Sequence, residues 1–254
     1  ILHELNGSKF LDLDKKLQGI FEDYQLYVYL IQPPTPERVK YDIFDRVNRG
    51  GTRLNNQEMR NALYGGKATK LLKELSESDA FLKATERGIS PTRMKDQYVI
   101  LRTLAFVLWK KGDLKNIYGL EPIEYKSDID DFLAKVMIAI NSHLDERVIK
   151  TARNNFLDAM NRIQRILGND AFRFEPKESG TRRPINMLLF EVMTYLFTFE
   201  VTDDERVLPL IKDWKKEIDK TGGSFRESVD STLSVMARFE NIEQVLDEIK
   251  KLER

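Results

Sequence analysis

The fold is decided by residues 36–66, PERVKYDIFDRVNRGGTRLNNQEMRNALYGG. Pro36 follows a threonine, a pair preferred at the N-cap and first turn of a helix, and Gly50-Gly51 ends the helical pattern. Between them the apolar residues recur at helical spacing on one stripe, at Val39, Ile43, Phe44 and Val47. Asn55 and Glu58 then have the spacing of a capping box that opens a second helix. The stretch therefore predicts two short helices joined by a glycine turn.

Helical periodicity extends over the rest of the chain. We predict longer amphipathic helices at 92–111, 127–143, 145–167, 184–199, 203–220 and 224–251. One segment differs, because Gln25–Ile31 is apolar and rich in β-branched and aromatic residues, as a buried strand would be. The predicted fold class is therefore α+β and predominantly α-helical, with a small β-containing part over residues 1–112 and a helical bundle over residues 113–254.

Composition excludes several classes of protein. Lysine plus arginine and aspartate plus glutamate each number 41 in 254 residues, so the net charge is zero and no global field attracts nucleic acid or an anionic membrane. There is no cysteine, which rules out disulfides and thiolate catalysis. No apolar run is long enough for a membrane span, so we expect no membrane partner and a cytoplasmic location. Any site for a polyanion has to be local.

Four arginines surround the glycine turn, at Arg46, Arg49, Arg53 and Arg60. Oriented backbone amides, a helix dipole and bidentate guanidinium groups would converge there, and together they hold phosphate. An ordinary helical hairpin explains the same stretch, with Gly50 as a helix C-cap and Leu54 in the core. On the residues alone the two interpretations are equally supported.

Two other patterns carry weaker signals. Arg182 and Arg183 lie on a glycine-flanked loop before a predicted helix, so they are candidates for contact with nucleic-acid phosphates. A solvent-exposed charge pair on a long loop is the simpler interpretation of these two residues. His3 and His143 each lack a second histidine at helical spacing, so the sequence predicts no metal site.

The central motif resembles that of a known family. It runs Ile43-Phe44-x-x-Val47-Asn48-x-Gly50-Gly51-x-x-Leu54-Asn55-x-x-Glu58-x-Arg60-Asn61-Ala62 and is similar to the hallmark of the ParB-like domain at the N-terminal end of GmrSD-type, modification-dependent restriction enzymes. Looser similarity extends to residues 101–106, 171–173 and 186–191. The resemblance implies that residues 1–112 are the C-terminal remnant of a ParB-like nucleotide-binding domain. The resemblance implies a nucleotide or phosphate-binding set of Asn48, Arg49, Gly50, Gly51 and Arg53. It also implies a supporting set of Phe44, Leu54, Asn55, Glu58 and Arg60.

The motif departs in places from the second conserved box of ParB proteins. Val47 stands where that box has glutamate and Gly51 where it has arginine, so Arg49 is expected to supply positive charge in place of direct metal coordination. Relatives carry an Asp-Gly-Gln-Gln-Arg type motif, which would lie before Ile1, and no HNH-like nuclease segment follows in this chain. We therefore expect a chain that binds nucleotide but is incomplete as a catalytic unit.

The resemblance implies a nucleotide-binding sensor or regulatory module of a bacterial restriction or anti-phage system that acts on foreign or modified DNA. An NTP with Mg²⁺ would be the cofactor of the complete protein, and DNA and an HNH-type nuclease domain or subunit would be its partners. Two other hypotheses stay open. One is a non-enzymatic DNA-binding module, because two short helices around a glycine turn suit a helix-turn-helix, and the other is a helical protein–protein adaptor.

Overall fold

The computed structural model describes residues 5–28, 30, 32, 34–35, 37–48, 53–176, 180–199 and 206–252. Its α-helices are, in chain order, α1 Lys15–Glu22, α2 Glu37–Asn48, α3 Asn56–Leu63, α4 Lys67–Glu77, α5 Asp79–Ala84, α6 Lys95–Lys111, α7 Ile129–Ser142, α8 Glu146–Leu167, α9 Met187–Phe197, α10 Val207–Thr221 and α11 Thr232–Leu252. Short 3₁₀ turns lie at Phe10–Asp12, Thr92–Met94, Gly168–Asp170 and Gly223–Phe225. None of the described helices is long and apolar enough to cross a membrane.

The chain forms two compact units, residues 1–47 and residues 48–254. The first unit contains α1 and all of α2 except its last residue, Asn48. The sequence-based boundary at residue 112 is a different division, and the core of the second unit draws on both sides of it, from Tyr64 to Ile249. That boundary stays a prediction about the organisation of the sequence.

The predicted α+β fold class is wrong, because every regular element in the part of the chain that the structure describes is a helix. Residues 25–28 and 30, which cover most of the predicted strand, are neither helix nor strand. Leu26 is 78% exposed and Tyr27 is 87% exposed, so this segment is not the buried strand that its composition suggested. A strand needs a neighbour to pair its backbone groups, and no described residue of the chain supplies one.

The apolar stripe of α2 is also less buried than its spacing suggested. Val39, Ile43 and Val47 are exposed, and Phe44 is half-buried. Among the residues before position 48 whose side chains the structure describes, none is buried. Periodicity identifies side chains that share one face of a helix, but whether that face is covered depends on what packs against it.

The second unit is built around two helices that are buried on all sides. Every residue from Val99 to Leu108 of α6 is buried, and so is every residue from Leu188 to Phe197 of α9. Such helices lie inside a bundle. Accordingly, α6 packs against α4, α7 and α9, while α8 packs against α5 and α9. The predominantly helical character predicted from the sequence is confirmed.

Charged side chains connect the helices of this core. Arg102 of α6, Glu191 of α9 and Arg238 of α11 are all fully buried. Arg102 donates through Nε to Glu191 and through Nη2 to Asp230, the latter at 2.5 Å. Arg238 Nη1 donates to the Val229 carbonyl oxygen at 2.7 Å, and its Nη2 lies 3.7 Å from Glu191 Oε2. Two buried guanidinium groups therefore share one buried carboxylate and link three helices.

The predicted long helices correspond to α6 through α11. The largest difference is at the start of the last one, which we predicted at residue 224 and which begins at Thr232. The 3₁₀ turn Gly223–Phe225 accounts for part of the difference, and turns and bends occupy the residues between it and α11. Helix ends are set by a few local hydrogen bonds, so periodicity alone locates them poorly.

Candidate functional site

The loop after α2 is closed by one asparagine side chain. Asn48 Oδ1 accepts a hydrogen bond from the Leu54 backbone N–H at 2.9 Å, and Asn48 Nδ2 donates to the Leu54 carbonyl oxygen at 3.3 Å. The Asn48 side-chain amide therefore bonds both the N–H and the carbonyl oxygen of Leu54. This pair of bonds holds the two ends of the loop together. Arg49, Gly50 and Gly51 lie outside the described residues, so their phosphate-binding role stays a prediction.

Helix α3 begins with the capping box that the sequence predicted. Asn55 Oδ1 accepts hydrogen bonds from the backbone N–H groups of Gln57 and Glu58, both at 2.9 Å. In return, Glu58 Oε2 accepts from the Asn55 backbone N–H at 2.7 Å. These bonds satisfy backbone donors that the first turn of a helix leaves open. The predicted capping box is confirmed.

Arg93, which the sequence analysis did not single out, joins the loop to the start of α3. Its Nη2 donates to Glu58 Oε2 at 2.9 Å and to the Arg53 carbonyl oxygen at 2.6 Å. Its own carbonyl oxygen accepts from Asn55 Nδ2 at 2.7 Å. The hydrogen bond from the Arg93 side chain, with a smaller contribution from the Asn55 backbone N–H, lowers the pKa of the Glu58 carboxyl group. Glu58 is therefore held as a carboxylate between two segments.

The backbone at Arg93 is strained. Arg93 has a φ of 56° and Met94 a φ of 58°, a left-handed conformation that residues other than glycine rarely adopt. Such a conformation persists only where the surrounding contacts hold it, and it occurs often at ligand sites. The bonds from Arg93 to Arg53, Asn55 and Glu58 are contacts of that kind.

Arg60 carries the buried charge of the site. Its side chain is only 1% exposed, and its Nη1 donates to Asp130 Oδ1 at 2.5 Å. Its Nε and Nη2 donate to Gln57 Oε1 at 3.1 and 3.0 Å. The other oxygen of the Asp130 carboxylate accepts from Asn56 Nδ2 at 2.6 Å. The Arg60 guanidinium also lies 5.6 Å from the centre of the Tyr98 ring. Arg60 thus presents a fixed positive charge beside a carboxylate of α7.

These residues line a surface pocket of about 580 Å³ at which three helices begin. The N-cap and first turn of α3 contribute Asn55 to Gln57, α6 contributes Lys95, and α7 contributes Ile129 and Asp130. The start of a helix carries a positive partial charge. Asn55 caps α3 and Asp128 caps α7, whereas no side chain of a described residue caps α6, so the open N–H groups lie at the start of α6. Arg93 and Lys95 add exposed positive charge. The pocket therefore favours an anionic ligand.

Comparison of the chain with known protein families, curated proteins and solved structures found no match. The similarity of the central motif to the ParB-like domain stays an expectation from the sequence.

Arg182 and Arg183, the candidates for nucleic-acid contact, have partners within the chain. Arg182 pairs with Glu86 at 2.5 Å and with Asp170 at 2.7 Å, and Arg183 pairs with Asp219 at 2.5 Å. These bonds use the guanidinium groups to hold the loop to neighbouring segments, so the two arginines are ion-paired within the chain. A contact with nucleic acid stays a prediction.

The remaining predicted site residues are placed as follows. The Arg53 side chain is exposed, while Phe44 and Leu54 are half-buried. In the part of the chain that the structure describes, no group of three histidine, aspartate or glutamate side chains could hold a metal ion. The sequence could not have identified the contributions of Arg93 and Asp130, because each lies far along the chain from α3 and belongs to no motif.

Proposed function

We propose that the chain binds a nucleotide through its phosphate groups at the pocket where α3, α6 and α7 begin. The observation that carries this proposal is the meeting of three helix starts with the side chains of Arg60, Arg93 and Lys95. Oriented backbone amides together with guanidinium and ammonium groups are the donors that bind phosphate. The volume of the pocket, about 580 Å³, lies in the usual range for small-molecule sites.

A carboxylate of the protein already occupies part of this pocket. Asp130 accepts hydrogen bonds from the buried Arg60 guanidinium and from the Asn56 amide. A phosphate oxygen carries similar charge and accepts the same kind of hydrogen bond. Donors that hold the Asp130 carboxylate therefore also suit a phosphate group, and Lys95 adds a further cation on the same pocket.

Other groups in the pocket suit the nucleoside part of the ligand. Tyr98 lines the pocket about one turn along α6 from Lys95, and its side chain is half-buried. Stacking of a base on an aromatic ring contributes about 1–3 kcal/mol. Asn56 and Thr92 line the same pocket and can form hydrogen bonds with a sugar or a base edge. The pocket thus offers separate groups for the phosphates and for the nucleoside.

The wider role that we propose rests on the resemblance of residues 44–62 to the ParB-like domain of GmrSD-type restriction enzymes. By that resemblance the chain is a cytoplasmic sensor or regulatory module of a bacterial restriction or anti-phage system acting on foreign or modified DNA. The complete protein would bind an NTP with Mg²⁺ and would act with an HNH-type nuclease domain or subunit.

Calorimetric titration of the full chain with ATP, GTP, CTP and UTP, with and without Mg²⁺, tests the proposal. A parallel titration with duplex DNA at several salt concentrations separates the alternatives. Nucleotide binding that discriminates among bases supports the proposal. DNA binding that weakens steeply as salt rises, without nucleotide binding, favours a DNA-binding module. Binding of neither ligand favours the helical adaptor and overturns the nucleotide proposal.

Lys95→Met is the matched probe of the pocket, because it removes one exposed charge and keeps most of the side-chain length. Losing a hydrogen bond to a charged group costs about 1.5–3 kcal/mol, so we expect nucleotide affinity to fall about tenfold or more. Lys70→Met is the control, since Lys70 is exposed on α4 and is not among the residues that line the pocket. Equal losses in the two variants would show that binding is only a response to overall charge.

A further inference from the structure

Residues 24–36 of the first unit form an uncharged stretch, YQLYVYLIQPPTP. Tyr24, Leu26, Tyr27, Val28 and Leu30 are all between 71% and 87% exposed. Residues 25–28 and 30 lie in neither helix nor strand, and their backbone groups form no hydrogen bond with another described residue. An exposed segment with strong β preference and unpaired backbone groups is a template for another strand.

The segment has a symmetry that selects its partner. Residues 26–30 are Leu-Tyr-Val-Tyr-Leu, which is the same sequence in both directions, although Tyr29 lies outside the described residues. If two copies pair antiparallel about Val28, Leu26 lies opposite Leu30 and each Val28 lies opposite the other. The tyrosines at 27 and 29 are then opposite one another as well. Aromatic and aliphatic pairs of this kind stabilise antiparallel ladders.

Residues 24–32 contain nothing that opposes such pairing. Proteins that keep exposed strands apart place charged residues or proline in them, whereas residues 24–32 contain neither. Ile20 and Phe21, just before the stretch, are 58% and 70% exposed and add apolar area. Because alternate side chains of a strand share one face, pairing about Val28 places Leu26, Val28 and Leu30 of the two copies side by side on one face.

We propose that two copies of this chain associate through antiparallel pairing of residues 26–30 about a two-fold axis at Val28. The paired strands form between copies, because a single chain offers this segment no neighbour among its described residues. The proposal does not depend on nucleotide binding, since the pocket at the starts of α3, α6 and α7 belongs to the other unit.

Disulfide cross-linking tests the proposal directly, because the chain has no cysteine of its own. Val28→Cys introduces a single thiol at the axis. Residues directly opposite in an antiparallel pair have Cα atoms about 4.5–5.5 Å apart, which a disulfide can span. We expect Val28→Cys to form a covalent dimer at least about tenfold faster than Leu11→Cys, since pairing raises the effective thiol concentration. Leu11 is a matched control, being 85% exposed in the same unit.

Two further measurements check the register and the fold. When Leu26→Cys and Leu30→Cys chains are mixed, a chain of one variant should cross-link to a chain of the other faster than to a chain of its own kind.

In sedimentation, Val28→Lys should lower the fraction of dimer relative to the unmodified chain. Mixing it with Val28→Glu should restore a dimer, because the opposite charges then face each other. Circular dichroism verifies that each variant is folded. A chain that sediments as a monomer, open-ended aggregates, or equal cross-linking of Val28→Cys and Leu11→Cys would overturn the proposal.

Discussion

At the scale of single residues, Asp130 is the group whose role the structure defines most sharply. Its carboxylate balances the charge of the buried Arg60 side chain and also accepts a bond from Asn56. Asp130 itself is 39% exposed on its side chain, so an external anion can compete for the same donors. If the pocket binds phosphate as proposed, stability and nucleotide affinity place opposite demands on Asp130.

Asp130→Asn should lower stability and strengthen nucleotide binding. The amide oxygen can still accept from Arg60, but the buried cation loses its counter-charge, at a cost of about 1–2 kcal/mol. The uncompensated charge then attracts phosphate more strongly, so we expect the dissociation constant for ATP to fall severalfold. Urea unfolding and calorimetric titration of the same sample measure both effects. If affinity falls together with stability, Asp130 belongs to the ligand-binding set and does not compete with the ligand.

At the scale of the elements, the shared carboxylate of Glu191 connects α6, α9 and α11. Glu191→Gln keeps the shape of the side chain and removes the charge between Arg102 and Arg238. Breaking a buried ion pair by neutralising one partner costs about 3–5 kcal/mol, because the remaining charge stays buried. Urea unfolding of the variant should show a loss of that size.

The control for this prediction is Glu74→Gln, which makes the same chemical change in an exposed ion pair. Glu74 pairs with Arg153, and both side chains are partly exposed. Surface pairs contribute about 0–1 kcal/mol, so this variant should change stability little. Similar losses in the two variants would show that the buried network does not hold the three helices together.

Lys215 attaches α10 to the turn after α8 and makes stability depend on pH. Its Nζ donates to the Asp170 carbonyl oxygen at 2.7 Å, and burial lowers the pKa of Lys215 to about 8 from an ordinary value of 10.5. Between these values the unfolded chain binds more protons than the folded one, so raising the pH stabilises the fold. From pH 8 to pH 10 we expect a gain of about 2 kcal/mol in the free energy of unfolding.

Lys215→Met should remove this gain while leaving any smaller contribution from Lys111, whose pKa is also lowered by burial. Denaturant unfolding at pH 8, 9 and 10 compares the two proteins. Above about pH 10 the trend should reverse, because burial raises the pKa of Tyr125 to about 12. The folded chain then keeps a proton that the unfolded chain releases, so raising the pH lowers the free energy of unfolding. Parallel curves for the two proteins between pH 8 and pH 10 would contradict the assignment.

At the scale of the whole molecule, stability should reside in residues 48–254. Before position 48, none of the side chains that the structure describes is buried, whereas the core of the second unit extends from Tyr64 to Ile249. A chain of residues 48–254 should therefore remain helical and unfold cooperatively, with a midpoint within a few degrees of the full chain. Circular dichroism during heating measures this. A fragment that is largely unfolded at 25 °C would show that the first unit is required for the fold.

The sequence by itself determined the features that depend on near neighbours. It predicted the helices of the second unit from apolar spacing and the start of α3 from Asn55 and Glu58, which interact across three positions. These interactions close within one or two helical turns, so a short window of residues contains them. The arginines around the loop were evident because they lie close together in the sequence.

Only the tertiary structure decided which faces are covered and which charges meet. The strand predicted at Gln25–Ile31 and the stripe on α2 have the right composition for burial, but the described residues provide nothing to cover them. Arg93 reaches Arg53 over 40 positions and Arg60 reaches Asp130 over 70, so no local pattern reports either contact. Burial and ion pairing depend on contacts between distant parts of the chain, and local periodicity does not predict those contacts.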